Sequence, residues 1–111
     1  MTEEPEIAAF AQCWNDGNFF TAHEVLEGLW MRRRDDGLQG LIQLAVALHH
    51  IERANVRGAK TMIERSRRRL SDPANAPCAI DLKKMQDYAA EVAAALDAGR
   101  GAEAIARRPR L

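Results

Sequence analysis

Phe19-Phe20-Thr21-Ala22-His23-Glu24-Val25-Leu26-Glu27-Gly28-Leu29-Trp30 is the stretch on which the fold of this chain turns. At about 100° per residue, Phe19, Ala22, Leu26, Leu29 and Trp30 fall on one broad apolar face. That spacing predicts an amphipathic helix over 19–32. The same stretch carries an H-E-x-x-E motif. His23 and Glu27, four residues apart, lie side by side at the edge of the apolar face, with Phe20 beyond them.

Working outward, the other segments also read as helices. A helix is predicted over 5–15, with Pro5 suited to its first turn and Ile7, Phe10, Ala11 and Trp14 on one face. Asp16-Gly17-Asn18 is a turn. After a charged connection over 33–37, a helix over 38–53 is apolar nearly all round, so it is expected to be central. Asn55 breaks the chain again. A helix over 56–70 turns Ala59, Met62, Ile63 and Leu70 inward and Lys60, Glu64, Arg67 and Arg68 outward. Two prolines mark 71–77 as a loop. A last helix over 79–98, capped by Asp81, shows Leu82, Met85, Ala89, Val92 and Leu96 as its stripe. Nothing alternates with the period of a strand. The fold class expected is all-α: a bundle of about five helices in one domain over 1–98, followed by a basic, partly ordered tail over 99–111.

A weak repeat runs through this pattern with a period of 37. Asn18-Phe19-Phe20-Thr21-Ala22 aligns with Asn55-Val56-Arg57-Gly58-Ala59, and Leu26-Glu27 with Ile63-Glu64. Its physical content is two similar helical hairpins packed on each other, closed by a fifth helix.

Composition narrows the function classes. The chain has 111 residues, 47% of them hydrophobic, which is enough for a core without staples. Lys+Arg and Asp+Glu are both 16, so the net charge is zero and gives no general attraction to nucleic acid or anionic membrane. No apolar run approaches the roughly 18 residues of a membrane span, and the acidic start is unlike a secretory leader. Cys13 and Cys78 make no disulfide framework. A cytoplasmic, reduced protein is the expectation.

Three blocks taken together resemble a known family. They are Gly17-Asn18-Phe19-Phe20-x-Ala22-His23-Glu24-x-Leu26-Glu27-x-x-Trp30, then Leu38-Gln39-Gly40-Leu41-Ile42-Gln43-Leu44-Ala45-x-Ala47-Leu48-His49-His50, then Asn55-x-Arg57-Gly58-Ala59. In this order, over about 14–70, they resemble the bacterial and archaeal family called domain of unknown function 309. The resemblance implies a small all-helical domain. Some members carry the label of a metal-dependent hydrolase.

The residues themselves suggest where a site would lie. Gln39, Gln43 and His50 form a polar line on the otherwise apolar third helix. Burying such groups without partners costs about 1–3 kcal/mol each. They are expected to face His23, Glu24 and Glu27 on the second helix, making a ligand pocket of His23, Glu27, Trp30, Gln39, Gln43 and His50. A divalent metal held by His23, Glu27 and His50 is the sharper form, with Glu24 beside the first ligand as candidate general base. Because Glu27 stands where a zinc protease has its second histidine, the protease inference does not transfer. The plainer form is a hydrogen-bond network that fixes helix register. His49 lies on another face and is expected to be a packed core residue, and Trp14 and Trp30 packing anchors.

Arg32–Arg34, Arg65–Arg69 and Arg107–Arg110 are rich in arginine, read as solvated faces and helix C-termini. No aromatic residues are interleaved with them, which argues against single-stranded nucleic acid. The leading expectation is therefore a non-enzymatic binding or interaction domain, whose partner is another protein or a second copy, with a polar pocket between the second and third helices. The alternative is a metal-dependent hydrolase using His23, Glu24, Glu27 and His50. The third is RNA or DNA binding through the arginine clusters.

Overall fold

A computed structural model describes residues 4–72 and 79–111. Among these residues the elements are α1 (Pro5–Asn15), α2 (Phe19–Arg33), α3 (Asp36–Glu52), α4 (Val56–Arg69), α5 (Leu82–Asp97) and α6 (Gly101–Ala106). The described residues contain no strand, so the fold is all-α. Most of the expected 71–77 loop, and Cys78, lie outside the described residues.

Why the chain reverses where it does is visible in the turns. At the end of α1, Gly17 takes φ +78° and Asn18 turns back into α2. Gly17 N–H donates to Trp14 O and Asn18 N–H to Cys13 O, the paired bonds of a Schellman stop. The Asn18 side chain then caps Thr21 N–H. Thirty-seven residues later the geometry returns bond for bond. Ala54 takes φ +59°, its N–H donates to Ile51 O, Asn55 N–H donates to His50 O, and the Asn55 side chain caps Gly58 N–H. The sequence repeat is thus a repeated turn.

The turn occurs a third time. Gly99 has φ +72°, Gly99 N–H donates to Leu96 O, and Arg100 N–H donates to Ala95 O. Arg100 supplies no side-chain cap, and the helix that follows, α6, has only six residues. Two like hairpins are closed by α5, as expected, and α6 makes with it a short third hairpin.

Ala54 sets up a prediction. Left-handed backbone costs an L-residue about 1–2 kcal/mol, and glycine escapes that cost but loses more chain entropy on folding. Ala54→Gly is expected to raise stability by about 0.5 kcal/mol, read as a higher urea midpoint at unchanged m-value.

Helices adjacent in the chain pack side by side, and α3 also touches α5 and α6. Leu38, Leu41, Leu44, Ala45, Ala47 and Leu48 of α3 are fully buried. Each leucine hidden this way contributes about 2 kcal/mol. Opposite them lie Phe10 and Trp14 of α1, Leu26 and Leu29 of α2, Ile63 of α4, and Met85 and Val92 of α5. One buried polar side chain is Ser66, whose hydroxyl donates to Gly40 O at 2.7 Å. Gly40 lets α4 come that close, since a Cβ there would sit 2.8 Å from Leu70.

The basic tail differs most from expectation. Its first part is α6, and 107–111 is clasped onto the first hairpin. Trp14 Nε1 donates to Pro109 O at 2.8 Å, Arg108 donates to Trp14 O and Asn15 O, and Leu111 N–H donates to Asn15 Oδ1. Trp14 is enclosed by Phe10, Phe19 and Tyr88, the last two edge-on. Tyr88 donates to Ala104 O at 2.6 Å, and burial lifts its hydroxyl far above the usual range, so it stays protonated. No helix among the described residues is long and apolar enough to cross a membrane.

Candidate functional site

The wheel of α3 carries two distinct faces, and packing decides which neighbour each one meets. Asp36, Gly40, Gln43 and His50 form the stripe turned towards α4. Asp36 pairs with Arg69 at 2.6 Å, Gly40 O accepts from Ser66, and His50 Nδ1 lies 3.2 Å from Asn55 Nδ2 at the α3–α4 turn. Gln43 lines a cleft with Asp36, Arg65, Arg68 and Arg69. The polar line therefore runs along α4, where the sequence reading had set it against α2. Helical spacing fixes which residues share a face, but not which helix covers that face. Gln39 is half-buried on α3 beside this stripe.

The histidine that reaches α2 is His49. Its ring lies 5.3 Å from Phe20, and Phe20 lies 4.9 Å from His23, edge to face. The two imidazoles flank one phenyl ring. His49 is half-buried and not a closed core residue, contrary to expectation. His23 Nδ1 is buried without a hydrogen-bond partner, as is Trp30 Nε1 farther along α2. Trp30 is half-buried beneath the Arg34 guanidinium, 4.5 Å from the ring centre.

Glu24 and Glu27 are exposed and make no ion pair among the described residues. They share a stripe of α2, spaced i, i+4, i+7, i+11, with Phe20 and Met31, which are 49% and 55% exposed. His23 lies at the inner edge of this stripe, and His50 lies beside His49, ring centres 6.3 Å apart. The residues expected to hold a metal are His23, Glu27 and His50, with Glu24 as the candidate base. Among the described residues no three His, Cys, Asp or Glu side chains are grouped as a metal site.

His49 gives the site a pH dependence. Burial, with Arg53 and His50 beside it, holds its imidazole below the ordinary value of 6.5; Glu52 acts the other way, and His23 adds to the lowering. A lowered value means that the unfolded chain takes up the proton more readily. Stability is then full above the unfolded value and declines as pH falls through it towards the folded value. Urea midpoints are expected to drop between pH 7.5 and 5.5, and His49→Gln should flatten that drop.

Of the arginines, the cluster after α2 is structural. Arg32 pairs with Glu6, and Arg33 with Glu4 and Asp35. Arg108 belongs to the clasp. Arg65 and Arg68 of α4 make no ion pair among the described residues. Two features lay outside the sequence reading: the outward stripe of α2 and the involvement of His49. The spacing of Phe20, Glu24, Glu27 and Met31 was available as a signal for the first.

Comparison with known proteins follows this geometry. The chain is similar to an uncharacterized protein of Aquifex aeolicus (strain VF5), 31% identical over 111 residues that take in 93% of this chain and 32% of that protein. It is also similar to the uncharacterized protein YpuF of Bacillus subtilis (strain 168), 42% identical over 53 residues, 44% of this chain and 30% of that protein. The chain spans about a third of the length of these relatives. No solved structure matches. The model of the family described as domain of unknown function DUF309 matches residues 7–62, through α1, α2, α3 and half of α4, and the chain belongs to that family.

Proposed function

We propose that this domain is a non-enzymatic interaction module, and that the outward face of α2 docks a protein segment that is basic and amphipathic. One observation carries the reading. Phe20 and Met31 are half exposed at the two ends of a helical stripe whose middle is the unpaired Glu24 and Glu27. Large apolar side chains held in water at both ends of an acidic step favour a partner with the complementary order. That partner would bring apolar residues to Phe20 and Met31 and a Lys or Arg pair to the carboxylates. His23 and His49, flanking Phe20, would form the polar rim at one end.

The H-E-x-x-E motif thereby acquires a different use. Its acids serve as surface charges for recognition, and its histidine packs against Phe20. The hydrolase alternative requires His23, Glu24, Glu27 and His50 to converge, and among the described residues no three such side chains are grouped to hold a metal ion.

The test uses a synthetic helical peptide with leucines and arginines at i, i+4 spacing, titrated by fluorescence anisotropy. Saturable binding by the native chain is expected. Glu24→Lys with Glu27→Lys should abolish it, and Phe20→Ser with Met31→Ser should weaken it at least about tenfold. Binding that survives all four substitutions would sink the reading. The native chain is also weighed by sedimentation, since a dimer lost in Phe20→Ser would make the occupant a second copy.

A further inference from the structure

The cleft between α3 and α4 stands apart from the α2 face and carries a separate inference. Its volume is about 360 Å³, at the small end of the range for ligand sites, and it is lined by Asp36, Gln43, Arg65, Arg68 and Arg69. Arg69 is engaged by Asp36 at 2.6 Å, leaving the lining with two guanidinium charges that have no counterion among the described residues. Several other arginines are engaged: Arg32 and Arg33 by carboxylates, Arg67 by Glu64, and Arg108 by backbone oxygens. Arg65 and Arg68, three apart on α4, share one side of the helix and converge on the cleft.

The cleft also holds an orphan. Gln43 Oε1 is buried without a donor. A half-turn about the terminal bond exchanges that oxygen for the amide N–H₂, a donor for an oxyanion. Asp35, at the start of α3, pairs with Arg33 and makes no cap bond to the first-turn N–H groups. The positive end of the α3 dipole therefore opens beside Asp36 at the same end of the cleft.

We propose that this cleft binds the phosphate group of a small phosphate ester between Arg65 and Arg68, with Gln43 donating from the floor. Phosphate is favoured over carboxylate by arithmetic of atoms. Each guanidinium fork is satisfied by two oxygens, so two forks and an amide need a head group with at least three. The uncompensated double charge matches a dianion. A cleft of about 360 Å³ has room for a small ester.

The test is a ¹H–¹⁵N titration of the 111-residue chain at constant ionic strength. The probes are inorganic phosphate, ribose 5-phosphate and a mixed-sequence single-stranded oligonucleotide. Saturable shifts are expected at the Gln43 side-chain amide and the Arg65 and Arg68 Nε–H groups with both small probes. Arg65→Gln and Arg68→Gln should each weaken ribose 5-phosphate by at least about tenfold. Arg57→Gln, exposed at the start of the same helix, should leave it unchanged. Equal weakening by Arg57→Gln would reduce the effect to general charge and overturn the site. So would an oligonucleotide that binds through Arg65 and Arg68 far more tightly than the ester, since that is a nucleic-acid surface. Neither result bears on the α2 face, whose variants share no residue with these.

Discussion

Trp14→Ala is expected to cost about 3–5 kcal/mol, the range for emptying a fully buried aromatic site. For a domain held by about 5–15 kcal/mol, that is enough to leave the native state marginal. The reasoning is local. Trp14 has no exposed surface, fills the space between Phe10, Phe19 and Tyr88, and donates through its indole N–H to Pro109. Alanine opens a cavity and removes the anchor of 107–111 together. Two readouts separate these effects. Urea denaturation should show the full loss for Trp14→Ala and a smaller one for Trp14→Phe, which keeps most of the volume but not the bond. Limited trypsin digestion should cut at Arg107 or Arg110 faster in both variants. An unchanged cutting rate in Trp14→Phe would mean that the indole bond does not hold the clasp.

Gly40→Val is the second large effect, at about 2–3 kcal/mol of overpacking. A Cβ at Gly40 meets Leu70 Cδ2 and Cγ at 2.8 Å and Arg69 Cβ at 3.1 Å. Leu70 is itself buried, so it has little room to swing away, and the Ser66–Gly40 hydrogen bond fixes the spacing of the two helices. Valine also fits a helix little better than glycine does, so propensity offsets only a few tenths of this. Leu70→Ala makes the space that valine needs. The double variant should therefore be more stable than the sum of the two single losses, by a coupling of about 1 kcal/mol or more. Strict additivity would place the strain elsewhere.

How much of this was legible in the sequence depends on how local each determinant is. The ends of α1 and the starts of α2 and α4 follow from Pro5, Gly17, Asn18 and Asn55, which act on their own backbone. The stripe of α5 and the burial of α3 follow from periodicity. The third hairpin was missed because Arg100 does not look like a cap, although Gly99 does look like a turn. The clasp was missed because its acceptors are backbone oxygens of Trp14, Asn15 and Pro109, which no side-chain pattern announces. Composition made 107–111 look like a solvated tail, whereas Arg108 is a multidentate staple. Ser66 was invisible for a similar reason, since its partner is the carbonyl of Gly40.

The site was legible as a list and not as an arrangement. His23, Glu24, Glu27, Trp30, Gln39, Gln43 and His50 were singled out by being polar or amphipathic near apolar faces. Gln43 lines the α3–α4 cleft, Glu24 and Glu27 are exposed on α2, His23 packs on Phe20, and His50 sits beside His49. A wheel is cyclic, and a residue at its polar edge can face either neighbour. The Asp36–Arg69 pair and the Ser66–Gly40 contact show which side α4 occupies.

The clasp has a consequence in time. Trp14 and Pro109 are 95 residues apart in the chain, while the turns that define the hairpins close over a handful of residues. Short-range helical contacts form in microseconds to milliseconds, but joining distant segments requires the intervening chain to be ordered first. The hairpins are therefore expected to assemble ahead of the clasp, leaving it outside the rate-limiting barrier. Weakening it should accelerate unfolding and leave refolding nearly untouched. The segment that looked like a loose end acts as the latch that sets how long the native state lasts.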